Sequence, residues 1–273
     1  MKKVKTFFEF YINSSIHVAL AVVSLCVVTF LEYEIPIDLN LLGFVFFGAV
    51  TGYNFVKYAP IAKLHHRSLA KRLKFIQFFS FCCFVLLLWF TFQVDLEIVI
   101  WAAFFGLLTL FYAMPVFSKR RNLRSISGVK VFIISLVWAG VTVILPVLRG
   151  KVEMDQSVPV DFLQRFLFVL VLILPFEIRD LKYDLEQLGT IPQKVGVTYT
   201  KILGLVLLAV ILLLEFLKAP FSGNSFGALL VTAMVTGVLV WMARERQSKY
   251  FASFWVESIP ILWLLCLVLF ESL

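Results

Sequence analysis

Nine apolar stretches mark the chain, at about 12–31, 38–56, 74–94, 97–117, 129–148, 162–178, 200–217, 224–242 and 252–270. Most approach the roughly 20 residues that a helix needs to cross about 30 Å of hydrocarbon. None alternates apolar and polar residues with period two, so a membrane β-barrel is not indicated. A helix satisfies its own backbone hydrogen bonds, which makes a helical bundle the physical default in lipid. The pattern therefore predicts an all-α, polytopic membrane bundle of nine transmembrane helices, forming one transmembrane domain over residues 1–273. Gly140 and Pro146 fall inside the fifth stretch and interrupt it slightly. The polar segment 149–161 reads as a plain connector.

Composition agrees with this class. Of 273 residues, 61% are hydrophobic and only 15% charged, too few charges to cover a soluble surface. The formal net charge of +8 would suit a nucleic-acid partner if it were clustered. Instead 21 of the 25 Lys and Arg residues fall in the N-terminal tail and in regions 57–74, 118–130, 179–201 and 243–249, which lie on one side in a nine-helix count. Acids such as Glu32, Glu34, Asp38, Asp95 and Glu97 fall opposite. The positive-inside rule then places the N-terminus in the cytoplasm and the C-terminus outside, as in a bacterial inner-membrane protein. No nucleic acid is implied. The basic start MKKVKTFF has no clear small-residue cleavage pattern after it, and reads as the lead into an uncleaved first helix. Cys26, Cys82, Cys83 and Cys266 sit in apolar segments without zinc spacing and read as packing residues.

One stretch does not fit its greasy surroundings. In RDLKYDLEQLGTIP, residues 179–192, Asp180 and Asp184 are four residues apart and Glu177 lies one turn earlier, so a helix would put all three on one face. Paired carboxylates with open coordination suit Mg²⁺ carrying a polyphosphate. A charged helix end at the headgroup level, with Arg179 and Lys182 as neighbours, is the plainer alternative. Gly189 and Pro192 are expected to turn the chain, with Thr190 capping the segment after it.

The run from Asp180 through Asp184 to Gly189, Thr190, Pro192 and Gly196 closely resembles the second aspartate motif of the UbiA superfamily of intramembrane prenyltransferases. FYAMP (111–115) is similar to that family's segment at the end of the fourth helix, and the cluster from Lys119 to Arg124 is also family-like. ISGVKVFIISLVWAG (126–140) looks like its fifth helix. The resemblance implies nine helices, a basic cytoplasmic side and a cavity that takes an isoprenyl diphosphate through Mg²⁺. By this resemblance Asp180 and Asp184 are the metal ligands and, with Asn54, the catalytic candidates. Lys57, Tyr58, Tyr112, Lys119, Arg120, Arg121 and Arg124 would line the substrate.

The first motif departs from the family. Transferring members carry three aspartates at the end of the second helix, whereas GYNFVKYAPIAKLHHR keeps Asn54 and has Phe55, Tyr58 and Ala62 at those positions. Three outcomes stay open: one Mg²⁺ on Asp180 and Asp184 with basic side chains completing the neutralisation, phosphate binding without chemistry, or a motif kept as scaffold. The leading expectation is prenyl transfer to a lipophilic acceptor. The alternative is a non-catalytic lipid- or isoprenoid-binding or complex-forming protein on the same fold, with membrane lipids and a membrane-protein partner as its ligands. Neither the acceptor nor the oligomeric state is legible.

Other polar residues carry two readings each. Asn54 suits either the site or a helix-end hydrogen bond, and Tyr112 either a pocket wall or an interface aromatic. Adjacent His65 and His66 face different ways on a helix and read as a headgroup-contacting loop. His17 reads as a packed polar residue. Glu257 is an acid in a membrane segment, functional by default, but close enough to the basic end to reach headgroups.

Overall fold

The structure, a computed structural model, describes residues 2–58, 67–113, 128–182 and 189–272, with side chains from residue 4 and excepting those of 67–72, 112 and 113. Ten helices occur in order: α1 Lys2–Asn13, α2 Ile16–Glu32, α3 Leu39–Tyr58, α4 Arg67–Thr91, α5 Leu96–Ala113, α6 Val129–Gly150, α7 Ser157–Asp180, α8 Ile191–Leu217, α9 Gly223–Met242 and α10 Phe251–Glu271. Seven described helices are long and apolar enough to cross a membrane, and the bent pair α1–α2 makes an eighth. Leu96–Phe111 of α5 is an apolar helix of shorter length. Among the described residues, each expected apolar stretch thus coincides with helix, the first of them across the α1–α2 break, while the count of spans by length stands at seven to eight.

Most successive helices pack as neighbours, α5 lies against α6 and α3, and α10 returns against α2, so α2 lies deep in the bundle. The core joins Leu25, Phe30, Leu41, Phe168, Ile211, Leu229 and Trp263, with the Phe168 and Trp263 rings edge to face at 4.9 Å. α4 has its apolar side chains outward, Phe78, Phe81 and Trp89 among them, as expected where lipid rather than water is the solvent. The four cysteines are free, three of them buried.

Two breaks shape the bundle. α1 and α2 meet at 57°, with Ser15 in the left-handed region at φ 63°. In α6, residues Gly140–Ile144 form a π-turn. The widened turn sends its carbonyls toward α2: Thr29 Oγ1 donates to the Thr142 carbonyl at 2.7 Å and Cys26 Sγ to that of Val141 at 3.7 Å.

At the end of the bundle away from the N-terminal tail, ion pairs tie the helices together. Asp38 caps α3, accepting from the backbone N–H groups of Asn40 at 2.7 Å and Leu41 at 3.1 Å. Its other oxygen accepts from Arg149 Nε, and Arg149 Nη1 reaches Asp95 at 2.7 Å, so one guanidinium joins the starts of α3 and α5 to the end of α6. Partial burial pushes the Asp38 carboxyl up, but the Leu41 N–H, Arg149 and the Asn40 N–H outweigh it and hold its pKa below the usual value. A depressed carboxylate stabilises the fold above its unfolded pKa of about 4 and ceases to do so as pH falls through its lower folded value. Asp38→Ala is therefore expected to lower stability by about 1–2 kcal/mol at pH 7. In detergent unfolding curves, that difference should shrink as pH is taken below about 4.

The segment read as a connector ends in a helix. α7 begins at Ser157, and its first turns carry Asp161, Gln164 and Arg165 into the interior. Arg165, 2% exposed, donates through Nη1 to the Leu25 carbonyl at 2.8 Å and through Nη2 to Thr29 Oγ1 at 3.4 Å, and lies 4.8 Å over the Trp263 ring. Asp161 accepts from Tyr33 Oη and pairs with Lys218. Lys218 also meets Glu215 at 2.8 Å, and Gln164 Nε2 donates to Glu215 at 2.9 Å. Lys218, although buried among these groups, is held protonated, with its pKa raised by Glu32, Asp161 and Glu215.

Candidate functional site

Opposite that network, the ends of α3 and α7, the start of α10 and the α1–α2 break meet. Ser14 and Ser15 interrupt the first apolar run, and Asn54 holds the break in place. Asn54, 3% exposed, accepts from Ser15 Oγ at 2.9 Å and donates to the Ser14 carbonyl at 3.0 Å and to Ser80 Oγ at 2.7 Å. Its amide is thus bonded to the α1–α2 break and to α4, the helix-end reading weighed from sequence. One turn on, Lys57 Nζ and Tyr58 Oη both donate to the Asn13 carbonyl, at 3.3 and 2.7 Å. That oxygen ends α1, where helical carbonyls lack intrahelical partners.

Asp180 is the last residue of α7, and its carboxylate is gripped bidentately by Arg179, Nε at 2.7 Å and Nη2 at 3.0 Å. Its side chain keeps 28% of its surface exposed. Glu177, one turn earlier, is fully buried, and its Oε2 accepts from the Ile191 N–H at 3.3 Å, fastening the first turn of α8. The two acids that share a face in register therefore have different surroundings. As expected, Gly189 turns the chain at φ 50°, Thr190 is extended before α8, and Pro192 lies in the first turn. Thr190 N–H donates to Gln193 Oε1 at 2.9 Å. Gly196, at φ 82°, kinks α8 in a conformation that favours glycine.

Glu257 comes directly after a second π-turn, Phe251–Val256 at the start of α10. Among the described residues, Lys57 and Arg179 are the cations within its electrostatic reach, and they act on each other as well. His17 lies alongside: Nδ1 is 2.7 Å from Tyr11 Oη, and Nε2 is 3.0 Å from the Phe254 carbonyl and 3.1 Å from Ser258 Oγ. A carbonyl only accepts, so Nε2 carries the hydrogen and Nδ1 accepts from tyrosine. With its ring stacked on Phe254 at 4.9 Å, His17 is the packed polar residue expected of it.

The structure thus brings Asn54, Lys57, Tyr58 and Asp180 to one end of the bundle, and adds Arg179 and Glu257. Asp184, Lys119, Arg120, Arg121, Arg124, His65 and His66 lie outside the described residues, as does the Tyr112 side chain. Arg179 reads from sequence only as a neighbour of the aspartates. Its signal is adjacency to Asp180 on the last turn of a helix, where a cation is favoured by the dipole. Among the described residues, no group of three or more His, Cys, Asp and Glu side chains is placed to hold a metal ion.

No protein-family model matches the sequence. No curated protein matches it either. Among solved structures, one described as a digeranylgeranylglyceryl phosphate synthase in membranes is similar over 100% of both chains, with a TM-score of 0.59 and 17% identity. This likeness shows the fold. The chain is an integral, multi-pass, all-α membrane bundle structurally similar to the UbiA fold.

Proposed function

We propose, with the UbiA-like fold as premise, that this chain is an intramembrane prenyltransferase moving an isoprenyl group from its diphosphate to a lipophilic acceptor. The observation that carries the reading is Asp180 at the end of α7, with Lys57 and Arg179 within electrostatic reach of Glu257 at the same end of the bundle. The nine-span count takes α1–α2 as one span and α5 as another. The basic end then faces the cytoplasm and the C-terminus lies outside, in an inner membrane.

The donor set suits one Mg²⁺ rather than two. This ion commonly uses one or two carboxylates plus substrate phosphate and water, a number that Asp184 and Asp180, once its carboxylate turns from Arg179 to the metal, would supply. The C-terminal end of α7 adds its own partial negative charge, which also favours a cation there. Bound with the diphosphate, Mg²⁺ would offset charge on the leaving group. Lys57, Arg179, Lys119, Arg120, Arg121 and Arg124 supply further positive charge where negative charge develops. Asn54 and Tyr58 set the end of α3 that presents Lys57, and Tyr112 is the further substrate-binding candidate that the family resemblance implies. Apolar helices exclude water while the allylic C–O bond breaks, its electron pair leaving with the diphosphate, and the acceptor attacks.

The second reading, isoprenoid or lipid binding without transfer, is favoured by the first-motif end. Asn54 and Tyr58 are committed to structural hydrogen bonds, and Phe55 offers no oxygen. Binding of geranylgeranyl diphosphate to the protein in nanodiscs, with Mg²⁺ or with EDTA, separates the cases. An Asp180→Asn/Asp184→Asn variant is expected to lose on the order of 100-fold in Mg²⁺-dependent affinity, about 2.7 kcal/mol. A folded parent that binds equally with EDTA, and a variant that behaves like it, would leave the non-catalytic reading.

A further inference from the structure

A second feature lies away from this site, on the lipid-facing side of α8 and α9. A groove of about 630 Å³ runs between them, lined by Leu205, Ala209 and Leu212 on α8 and by Ala233, Gly237 and Trp241 on α9. Its lining is almost wholly apolar. Small residues shape it: Gly237 lets Leu205 and Leu208 of α8 pack close to α9 at the groove floor, and exposed Ala209 leaves the facing position low. From Trp241 to Ala233 the groove spans eight residues, roughly 12 Å of helix.

The basic end of the groove is charged. Lys201 stands four residues before Leu205 and eight before Ala209, so the cation heads the same helix face that lines the groove. Its Nζ donates to the Trp241 carbonyl at 2.8 Å and lies 5.8 Å from the Trp241 ring. An ammonium has three donors, which leaves two to offer. Arg244, exposed just beyond α9, is the other charge acting on Lys201. Glu245 comes next, exposed like Arg246.

We propose that this groove is a specific site for an anionic phospholipid, one acyl chain lying between α8 and α9 and the phosphate meeting Lys201 and Arg244. Charge complementarity selects this occupant. An apolar channel headed by two cations matches a molecule with an apolar tail and an anionic head. A second copy packed symmetrically here would set the same cations against each other. Trp241, at the junction, has the amphipathic character that places tryptophan at headgroup level.

The test uses the full chain in vesicles of phosphatidylcholine mixed with phosphatidylglycerol, one lipid at a time carrying a photoactivatable acyl chain. Labelled peptides are mapped by mass spectrometry. Each cation near an anionic headgroup is worth about fivefold. Phosphatidylglycerol should therefore label 205–212 and 233–242 at least about tenfold more than phosphatidylcholine does. Lys201→Gln should cut that preference about fivefold, Lys201→Arg should keep it, and Lys201→Gln/Arg244→Gln should abolish it. Ala209→Phe, at an exposed position, should remove labelling of the groove by both lipids while leaving labelling elsewhere. Equal labelling by the two lipids in the parent, or a preference that survives the double substitution, would overturn the proposal. So would cross-links joining two copies of the chain through these segments.

Discussion

Arg165→Met is expected to destabilise the protein by about 3–5 kcal/mol, the cost of leaving buried charges without their partner. Methionine keeps much of the apolar volume, so the loss isolates charge and hydrogen bonding. Three carboxylates, Glu32, Asp161 and Glu215, share this end of the bundle with two cations, Arg165 and Lys218. Without Arg165 a single lysine faces all three. The Leu25 carbonyl also loses a 2.8 Å donor, and the Trp263 ring loses the guanidinium above it. Arg165→Lys retains charge but not the forked geometry, and should fall between the two. Unfolding in mixed micelles measures the differences. A loss for Arg165→Met under about 1 kcal/mol, the scale of an exposed pair, would mean that water reaches the network.

The second large effect is steric. A Cβ placed on Gly140 would lie 2.0 Å from Phe105 Cζ and 2.2 Å from its Cε1, far inside contact distance. Phe105 is 3% exposed, so its ring has little room to withdraw. Gly140→Ala should cost about 1–3 kcal/mol by overpacking. Adding Phe105→Leu should recover part of that loss, because the smaller side chain vacates the contested volume. In a double-mutant cycle the two substitutions should couple by at least about 0.5 kcal/mol. Additive losses would mean that the α5–α6 contact relaxes by moving backbone instead.

The legibility of the fold is a consequence of its solvent. Where lipid surrounds a helix, hydropathy alone marks the segment, and among the described residues the expected apolar stretches coincide with helices, the first across the α1–α2 break. The misreadings sit where polar residues enter helices. Segment 149–161 reads as a connector because Asp161 is polar, yet that residue is buried in α7 with Gln164 and Arg165 beside it. The positions 161, 164 and 165 have helical spacing, which an average over hydropathy erases. Residues 191–199 fall outside the expected stretch 200–217 for the same reason, although the capping pattern at Thr190 and Gln193 marks a helix start. The break between α1 and α2 lies inside an apolar run, and only paired serines mark it.

The site is partly legible. Asp180 lies at the end of α7, while the i,i+4 partner that its spacing names, Asp184, lies outside the described residues, and His17 packs as its lone position suggests. Asn54 makes the helix-end hydrogen bonds that are one of its two readings, but its partners, like that of Tyr58, depend on a bend of α1 against α2 that the local sequence does not state. Lys57, Arg179 and Glu257, within electrostatic reach of one another, come from α3, α7 and α10, which no local pattern connects.

The π-turn in α6 bears on how this chain is compared with others. A π-turn accommodates one more residue than an α-turn, so residues on its two sides stand out of phase by one position relative to a plain helix. An ungapped match of α6 to an uninterrupted α-helix would align Trp138 and Ser135 correctly only if it misaligned Pro146 and Val147. Sequence similarity diluted in this way need not dilute the shape. Such a single-residue offset, repeated at Phe251–Val256, gives one physical route to full-length structural likeness at 17% identity.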